Sequence, residues 1–491
     1  MMKRGTLILT LLLLPVLLWA TPQVQFGEYF KDKTMRVDYY HMGDAEEEYI
    51  SIDRIYQEGM WAGSTSNLID PFDLGRYYVR VYDVKSGKLI YSRGFDSIFG
   101  EYKTTTPALN GVKQTYHETA LIPYPRDSVR FVIEARDKMN DLNEIFSQAI
   151  DPENVNIIRE TKDFDIRVYE LLKNGNPHKK VDVAFIAEGY TIAEQEEMKR
   201  DLNEFSKMLF SQEPYKSHRD DFNIYGVFKP SDQTGVDEPT HGNFVNTAVS
   251  ASFNSLNSPR YLLTEDNKAL RDIAGKVPYD ALYIMVNHAR YGGGGIYNLY
   301  CTFTTDNQWK KYLFLHEFGH SFAGLADEYY TSSTSYNDFY PQGIEPNEVN
   351  ITALMDPPQV KWDSLASPGI EIPTPWNKAE YDSMSNSYQR LRRELNNKIA
   401  RLKRQGAPQE EISELEERSE HLSQEHAHKM DAFLENSSYA GKVGAFEGAG
   451  YSSEGLYRSM LDCIMFSKGA KPFCAACEQG IIRMIEWYTG E

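Results

Sequence analysis

Residues Leu313 to Tyr330 read LFLHEFGHSFAGLADEYY, and no other stretch of the 491-residue chain restricts its fold so strongly. Two histidines lie four apart, and a glutamate directly follows the first. The apolar spacing predicts a helix over Trp309–Phe322. On it, His316 and His320 stand one turn apart and project side by side. Two imidazoles so placed can reach one Zn²⁺ at about 2.0–2.1 Å each. Glu317 lies beside them, placed to take a proton from the attacking water rather than to bind metal. The flanking residues Leu313, Phe314, Leu315, Phe318, Gly319 and Phe322 are apolar or small. They predict a buried helix, which a rigid metal site requires. A single histidine on such a face reads as a satisfied core residue. HExxH is expected by chance on the order of once per hundred chains of this length.

A hydrolytic zinc site needs a third protein ligand and an open position for water. Gly324 can end the helix and turn the chain back toward the metal. In metzincin peptidases the pattern is HExxHxxGxxH, with Asp for the last His in some members. Here the glycine comes one residue later. Counting from Gly324 gives Asp327 as the third ligand, while counting from His320 gives Ala326, which cannot bind metal. Glu328 is the next candidate, and a glutamate from a later helix, as in thermolysin-like enzymes, is a third. Metzincins also place a methionine turn beneath the metal. Met465, on a tight turn after an apolar stretch and before the last helix, fits better than Met355.

The rest of the chain sets the context. Residues 1–20, MMKRGTLILTLLLLPVLLWA, have a basic start, a short apolar core and a small residue for cleavage, the layout of a secretory signal peptide. An exported protein is expected, periplasmic, at the cell surface or secreted, with no membrane span after signal cleavage. The formal charge is -19, and losing Lys3 and Arg4 makes it more negative by two. So acidic a surface repels phosphate backbones and argues against a nucleic-acid partner. The 33 tyrosines suit a β-rich domain or a binding surface. The four cysteines, Cys301, Cys463, Cys474 and Cys477, allow up to two disulfides in an oxidising compartment. A four-cysteine zinc site would need a second close pair, which Cys301 and Cys463 do not form. A structural disulfide or free buried thiols are expected.

Residues 21–155 read as an all-β sandwich domain. Tyr77–Phe95 is a hairpin around KSG, and Gln114–Pro125 and Asp127–Asp137 are further strands. DAEEE (Asp44–Glu48) reads as a solvated loop. From 156 onward, strands at Val181–Thr191, Phe222–Ser231 and Asp280–Gly295 alternate with helical patterns, the mark of an α/β domain. The four glycines at Gly292–Gly295 read equally as a flexible loop or as a site rim where a substrate strand pairs. Glu188, Asp237, His241 and His288 lie near strand ends and are assigned no direct role. Met384, Tyr388, Leu391, Leu395, Ile399 and Leu402 recur at helical spacing, QGAPQ (Gln405–Gln409) breaks the pattern, and Ile412 to Phe433 resume it. This predicts an antiparallel helical hairpin over 377–436 with its apolar stripe used for packing. Its histidines, His421, His426 and His428, are expected on the surface.

Several segments in order resemble the IgA-peptidase family of bacterial zinc metallopeptidases: FIAEGYT, FNIYGVFKPSDQTGVDEP, YDALYIMVNHARYGGGG, LHEFGHSFAGLADEY, KW followed by IPTPW, and YRSMLDCIMFSKGAKPFCAAC. The resemblance covers most of Phe164–Tyr488. It implies an α/β (α+β) metzincin-like zinc-peptidase catalytic domain over 156–491, preceded by the β-sandwich domain and interrupted by the 377–436 hairpin. It further implies endopeptidase activity with zinc held by His316, His320 and Asp327, Glu317 as the catalytic base and Met465 in the methionine turn. The substrate class is then protein or glycoprotein, with immunoglobulin A one candidate. The competing reading is a surface-binding or adhesion protein with a vestigial metal site. An intact Glu317 speaks against it, because a merely structural zinc has no use for that group.

Overall fold

Val181–Glu188, Phe222–Phe228 and Ala281–Val286 are near-continuous apolar runs, and every residue in them is buried. Strands of that composition form the middle of a sheet covered on both faces. The computed structural model, which describes residues 24–159, 165–259, 261–330 and 340–490, places them at the centre of a six-stranded sheet. Its order is Gly293–Ile296, Tyr300–Thr304, Ala281–Val286, Val181–Glu188, Phe222–Phe228, Arg167–Leu172. The inner four strands run parallel, and the strand at each edge is antiparallel to its neighbour. The expected signal peptide, residues 1–20, lies outside the described residues. Among those described, no helix is long and apolar enough to cross a membrane.

Alternate side chains feed two cores. Val183, Phe185, Ile224, Tyr283 and Met285 face one side, where helices Gln195–Met208, Lys310–Ala323 and Ala475–Thr489 pack. Ala184, Ile186, Val227, Leu282 and Ile284 face the other, against helix Asn267–Ala274 and residues such as Phe99 and Tyr116. An aromatic stack seats Lys310–Ala323 on the sheet. The Tyr283 ring lies 4.8 Å from Phe185, 4.5 Å from Phe314 and 4.7 Å from Phe318, near parallel to all three. The Tyr283 hydroxyl donates to the Phe314 carbonyl at 2.9 Å. Removing one ring from such a stack costs about 3–5 kcal/mol.

The N-terminal strands form two antiparallel sheets around a shared core that includes Val37, Tyr39, Val81 and Phe131. One has the order Glu48–Gln57, Phe30–Gly43, Gln114–Pro125, and the other Leu89–Phe95, Tyr77–Asp83, Val129–Arg136, Leu142–Ile150. DAEEE is not wholly a solvated loop. Asp44 is buried and accepts from the Glu46 and Glu47 amides, and Glu48 opens a strand.

The predicted hairpin is present as helices Lys378–Arg404 and Gln409–Glu435. Lys403 pairs with Glu416 at 2.7 Å and Tyr388 stacks on His426 at 3.9 Å, an antiparallel register. Two details depart from expectation. Leu391, assigned to the apolar stripe, is 52% exposed. His426, expected on the surface, is half-buried in that stack. The glycine run is also not a loop ending the Ala281–Val286 strand. Gly293–Ile296 is a separate edge strand, antiparallel to Tyr300–Thr304.

Glu48 ties the two N-terminal sheets together. Its carboxylate accepts from His41 Nε2 at 3.0 Å, the Tyr77 hydroxyl at 3.0 Å and Lys103 Nζ at 2.6 Å. Burial alone would raise this carboxyl, but His41 and Lys103 outweigh it and hold the pKa down to about 2. A carboxyl whose folded pKa lies below its unfolded value of about 4.3 adds stability above that value and loses it as pH falls toward the folded one. Glu48→Gln should therefore cost roughly 2–3 kcal/mol at pH 7. Urea denaturation should show the gap to wild type narrowing as pH falls from about 4.5 toward 2.

Candidate metal centre

The predicted helix over Trp309–Phe322 is observed as Lys310–Ala323, and ten of its fourteen residues are buried. His316 Nε2 and His320 Nε2 lie 3.2 Å apart. Each ring is fixed through its other nitrogen: His316 Nδ1 donates to the Ile464 carbonyl at 3.0 Å, and His320 Nδ1 to the Leu325 carbonyl at 2.5 Å. A carbonyl can only accept, so Nδ1 carries the proton in the neutral rings. The two Nε2 lone pairs then face each other, as in metal-bound histidines oriented by carbonyl partners.

Gly324 ends the helix in the left-handed region, at φ 60°. The Gly324 amide donates to the His320 carbonyl and the Leu325 amide to that of Gly319, closing the last turn as glycine caps do. A Cβ at Gly324 would meet the Tyr297 ring at 3.2 Å. Asn350 then clamps the returning chain, accepting from the Ala326 amide and donating to the Ala326 carbonyl, both at 2.9 Å. This turn delivers Asp327, whose Oδ1 lies 3.2 Å from His316 Nε2 and 3.2 Å from His320 Nε2. Asp327 Oδ2 accepts from the Tyr451 hydroxyl at 2.5 Å, while the buried Oδ1 has no hydrogen-bond partner.

Three donor atoms thus make a triangle with 3.2 Å sides. Ligands bound tetrahedrally at 2.0–2.1 Å stand about 3.3 Å apart, so the residues present fit a zinc ion. Electrostatics point the same way. Burial disfavours a charged His320, yet Asp327 overrides it and pushes the His320 pKa up to about 9. Burial would likewise raise the Asp327 carboxyl, but the two histidines hold it well below the usual range. The same charges would favour a cation at the centre of the triangle.

The Glu317 carboxylate comes within 4.8 Å of both imidazole donor atoms. Asp327 Oδ1, at 3.2 Å from both, makes the tighter set of donors with them. Glu328, the alternative ligand, is fully buried and directed elsewhere, to Asn350, Cys474 and Cys477. Met465 is buried with its sulfur against Gly319, under the histidine turn, and its carbonyl accepts from the Glu328 amide at 2.9 Å. Met355 is 58% exposed. The four unassigned polar residues lie outside the triangle. Glu188 is buried and accepts from Thr247, Val249 and Ala251. His241, His288 and Arg290 surround Glu238, and Asp237 accepts from the Val245 amide.

Tyrosines dominate the wall of the cleft around the triangle: Tyr261, Tyr291, Tyr312, Tyr329, Tyr340 and Tyr451, with Gly293 and Gly295 along one side and Asp96 and Glu101 entering from the N-terminal region. Tyr451 and Asn350 were not read from the sequence. GAGYSSEG, which carries Tyr451, signals only a turn, and Gly450 and Tyr451, both at positive φ, join strands Phe446–Ala449 and Ser452–Arg458.

The glycine strand packs directly on the helix. A Cβ at Gly295 would lie 2.3 Å from the Glu317 carbonyl oxygen and 2.9 Å from His320 Cβ. Gly295→Ala must displace backbone, which costs about 1–3 kcal/mol, and should weaken zinc binding tenfold or more in competition with a chromogenic chelator. Gly59→Ala, with nothing within 4 Å, should match wild type.

No curated protein relative matches the chain. Two family models do. That of IgA Peptidase M64 matches residues 169–485, and that of the Peptidase M64 N-terminus matches residues 25–147. Together they span most of the sequence, including the helix, the Asp327 turn and the N-terminal sheets, and the chain belongs to the IgA peptidase M64 family of peptidases.

Proposed function

We propose that this chain is an exported zinc endopeptidase of metzincin-like α/β (α+β) fold. It cuts peptide bonds in a protein or glycoprotein substrate, with immunoglobulin A among the candidates. The observation that carries the reading is the buried Asp327 Oδ1 placed 3.2 Å from both imidazole Nε2 atoms, with Glu317 beside them. His316, His320 and Asp327 would hold the ion. Zinc bound there lowers the pKa of a water molecule and polarises the scissile carbonyl.

The remaining steps belong to the protein. Glu317 takes a proton from the attacking water and returns it to the leaving amine as the tetrahedral intermediate collapses. The Tyr451 hydroxyl holds the outer oxygen of Asp327, so that Oδ1 stays in the triangle. Gly293–Ile296 forms one side of the cleft without side chains beyond hydrogen over three of its four residues, a rim along which an extended peptide can lie. Residues 21–155 are read as a β-sandwich domain, 156–491 as the catalytic domain and 377–436 as an insertion within it. The hairpin reaches the cleft wall where the Arg392 guanidinium stands 5.6 Å over the Tyr291 ring, so it bears on access and on substrate choice.

Glu317→Gln should retain the metal and lose at least about 10³-fold in kcat/KM, the scale of a lost general base. Intact-mass analysis of immunoglobulin A and of a mucin-type glycoprotein, each incubated with the protein, should show defined fragments. These should vanish with a zinc chelator and with the variant. Cleavage by Glu317→Gln at the wild-type rate would overturn the assignment.

A further inference from the structure

Cys463, Cys474 and Cys477 gather around the Glu328 carboxylate, all four fully or almost fully buried. Each offers a donor atom within 4.8 Å of every other. Cys463 Sγ and Cys477 Sγ are 3.9 Å apart, and Glu328 Oε1 is 3.3 Å from both Cys474 Sγ and Cys477 Sγ. Sulfurs bound tetrahedrally at 2.3 Å stand about 3.8 Å apart, and a sulfur stands about 3.5 Å from an oxygen bound to the same ion. The cluster therefore has the size of a tetrahedral zinc cage. We propose that it holds a second, structural zinc ion, with Cys463, Cys474, Cys477 and Glu328 as its four ligands.

Three observations support a cage over plain buried thiols. Backbone amides point at the sulfurs: Met465 N and Cys474 N donate to Cys463 Sγ at 3.4 and 3.1 Å, and Cys477 N donates to Cys474 Sγ at 3.4 Å. Such donors stabilise thiolate charge. Cys474 also caps the N-terminus of helix Ala475–Thr489, where the helix dipole favours a negative sulfur. Finally, Glu328 Oε2 is buried without a hydrogen-bond partner. A buried carboxylate is costly without positive charge beside it; Arg458 supplies part of that charge, and a zinc ion would supply the rest.

Zinc binding releases the three thiol protons and forms three Zn–S bonds and one Zn–O bond, with no oxidation. The ion would tie together the Met465 turn, the Asp327–Glu328 turn and the terminal helix. Cys463 lies two residues before Met465, and the Ile464 carbonyl holds His316. The second site therefore braces the first from below. Three thiolates and one carboxylate with all four positions filled suit a structural ion, not a hydrolytic one.

The test separates the two sites. The full chain carrying His316→Ala and His320→Ala has lost the first, so any ion that remains reports the second. Elemental analysis should find one zinc per chain in this double variant and two in wild type. X-ray absorption of the variant should show sulfur ligands at about 2.3 Å. Wild-type protein carrying Cys474→Ser and Cys477→Ser should lose one of its two zinc ions. A double-histidine variant without zinc would overturn the proposal. So would a denatured, unreduced wild-type chain whose mass and resistance to alkylation reveal a disulfide among these cysteines. Neither result depends on the serine variant folding.

Discussion

Two imidazole lone pairs and a carboxylate oxygen converge within 3.2 Å in a buried position, and only a positive charge at their centre makes that arrangement favourable. Removed from water, these groups repel one another, and the desolvation cost is not recovered by hydrogen bonding. Asp327 beside it favours a charged His320, and a metal ion at the centre would satisfy all three donors at once. The surrounding architecture holds the three atoms in place against this repulsion.

It does so with segments far apart in the chain. The aromatic stack on Tyr283 fixes the height of the helix over the sheet. The glycine strand lets the helix backbone come closer than any side chain would permit. The left-handed Gly324 reverses the chain, Asn350 clamps the reversal, and Tyr451 pins the outer oxygen of Asp327. Beneath, Ile464 and Met465 hold His316 and the Asp-Glu turn through backbone hydrogen bonds. The adjacent acids Asp327 and Glu328 point to different neighbours, one to the histidines and one to the cysteines. A substitution at either acid therefore acts on a different cluster.

Local sequence carried the parts of this that depend on local physics. The spacing of His316 and His320, the glycine stop at Gly324 and the buried strands of the central sheet follow from periodicity and turn chemistry within a few residues. The hairpin was legible for the same reason, its helices ending within a few residues of the QGAPQ break. Distant convergence was not legible. The cysteines showed no second close pair because the fourth member of their cluster is Glu328, some 135 residues before Cys463. The four glycines read equally as a loop or as a pairing rim, because their segment lacks β-forming side chains. It is a strand through its pairing with Tyr300–Thr304, and Gly293 and Gly295 are glycines where a Cβ would run into Glu317 of the helix. Tyr451 and Asn350 sit in turns whose local sequence says nothing about what they reach.

The division of labour between Asp327 and Glu328 is the account's central claim, and anomalous diffraction at the zinc absorption edge from crystals of the zinc-loaded protein tests it most directly. The account predicts a peak about 2 Å from His316 Nε2, His320 Nε2 and Asp327 Oδ1, with Glu328 outside its coordination sphere. A peak at the histidines ligated by Glu328 in place of Asp327, or no peak there at all, would contradict it.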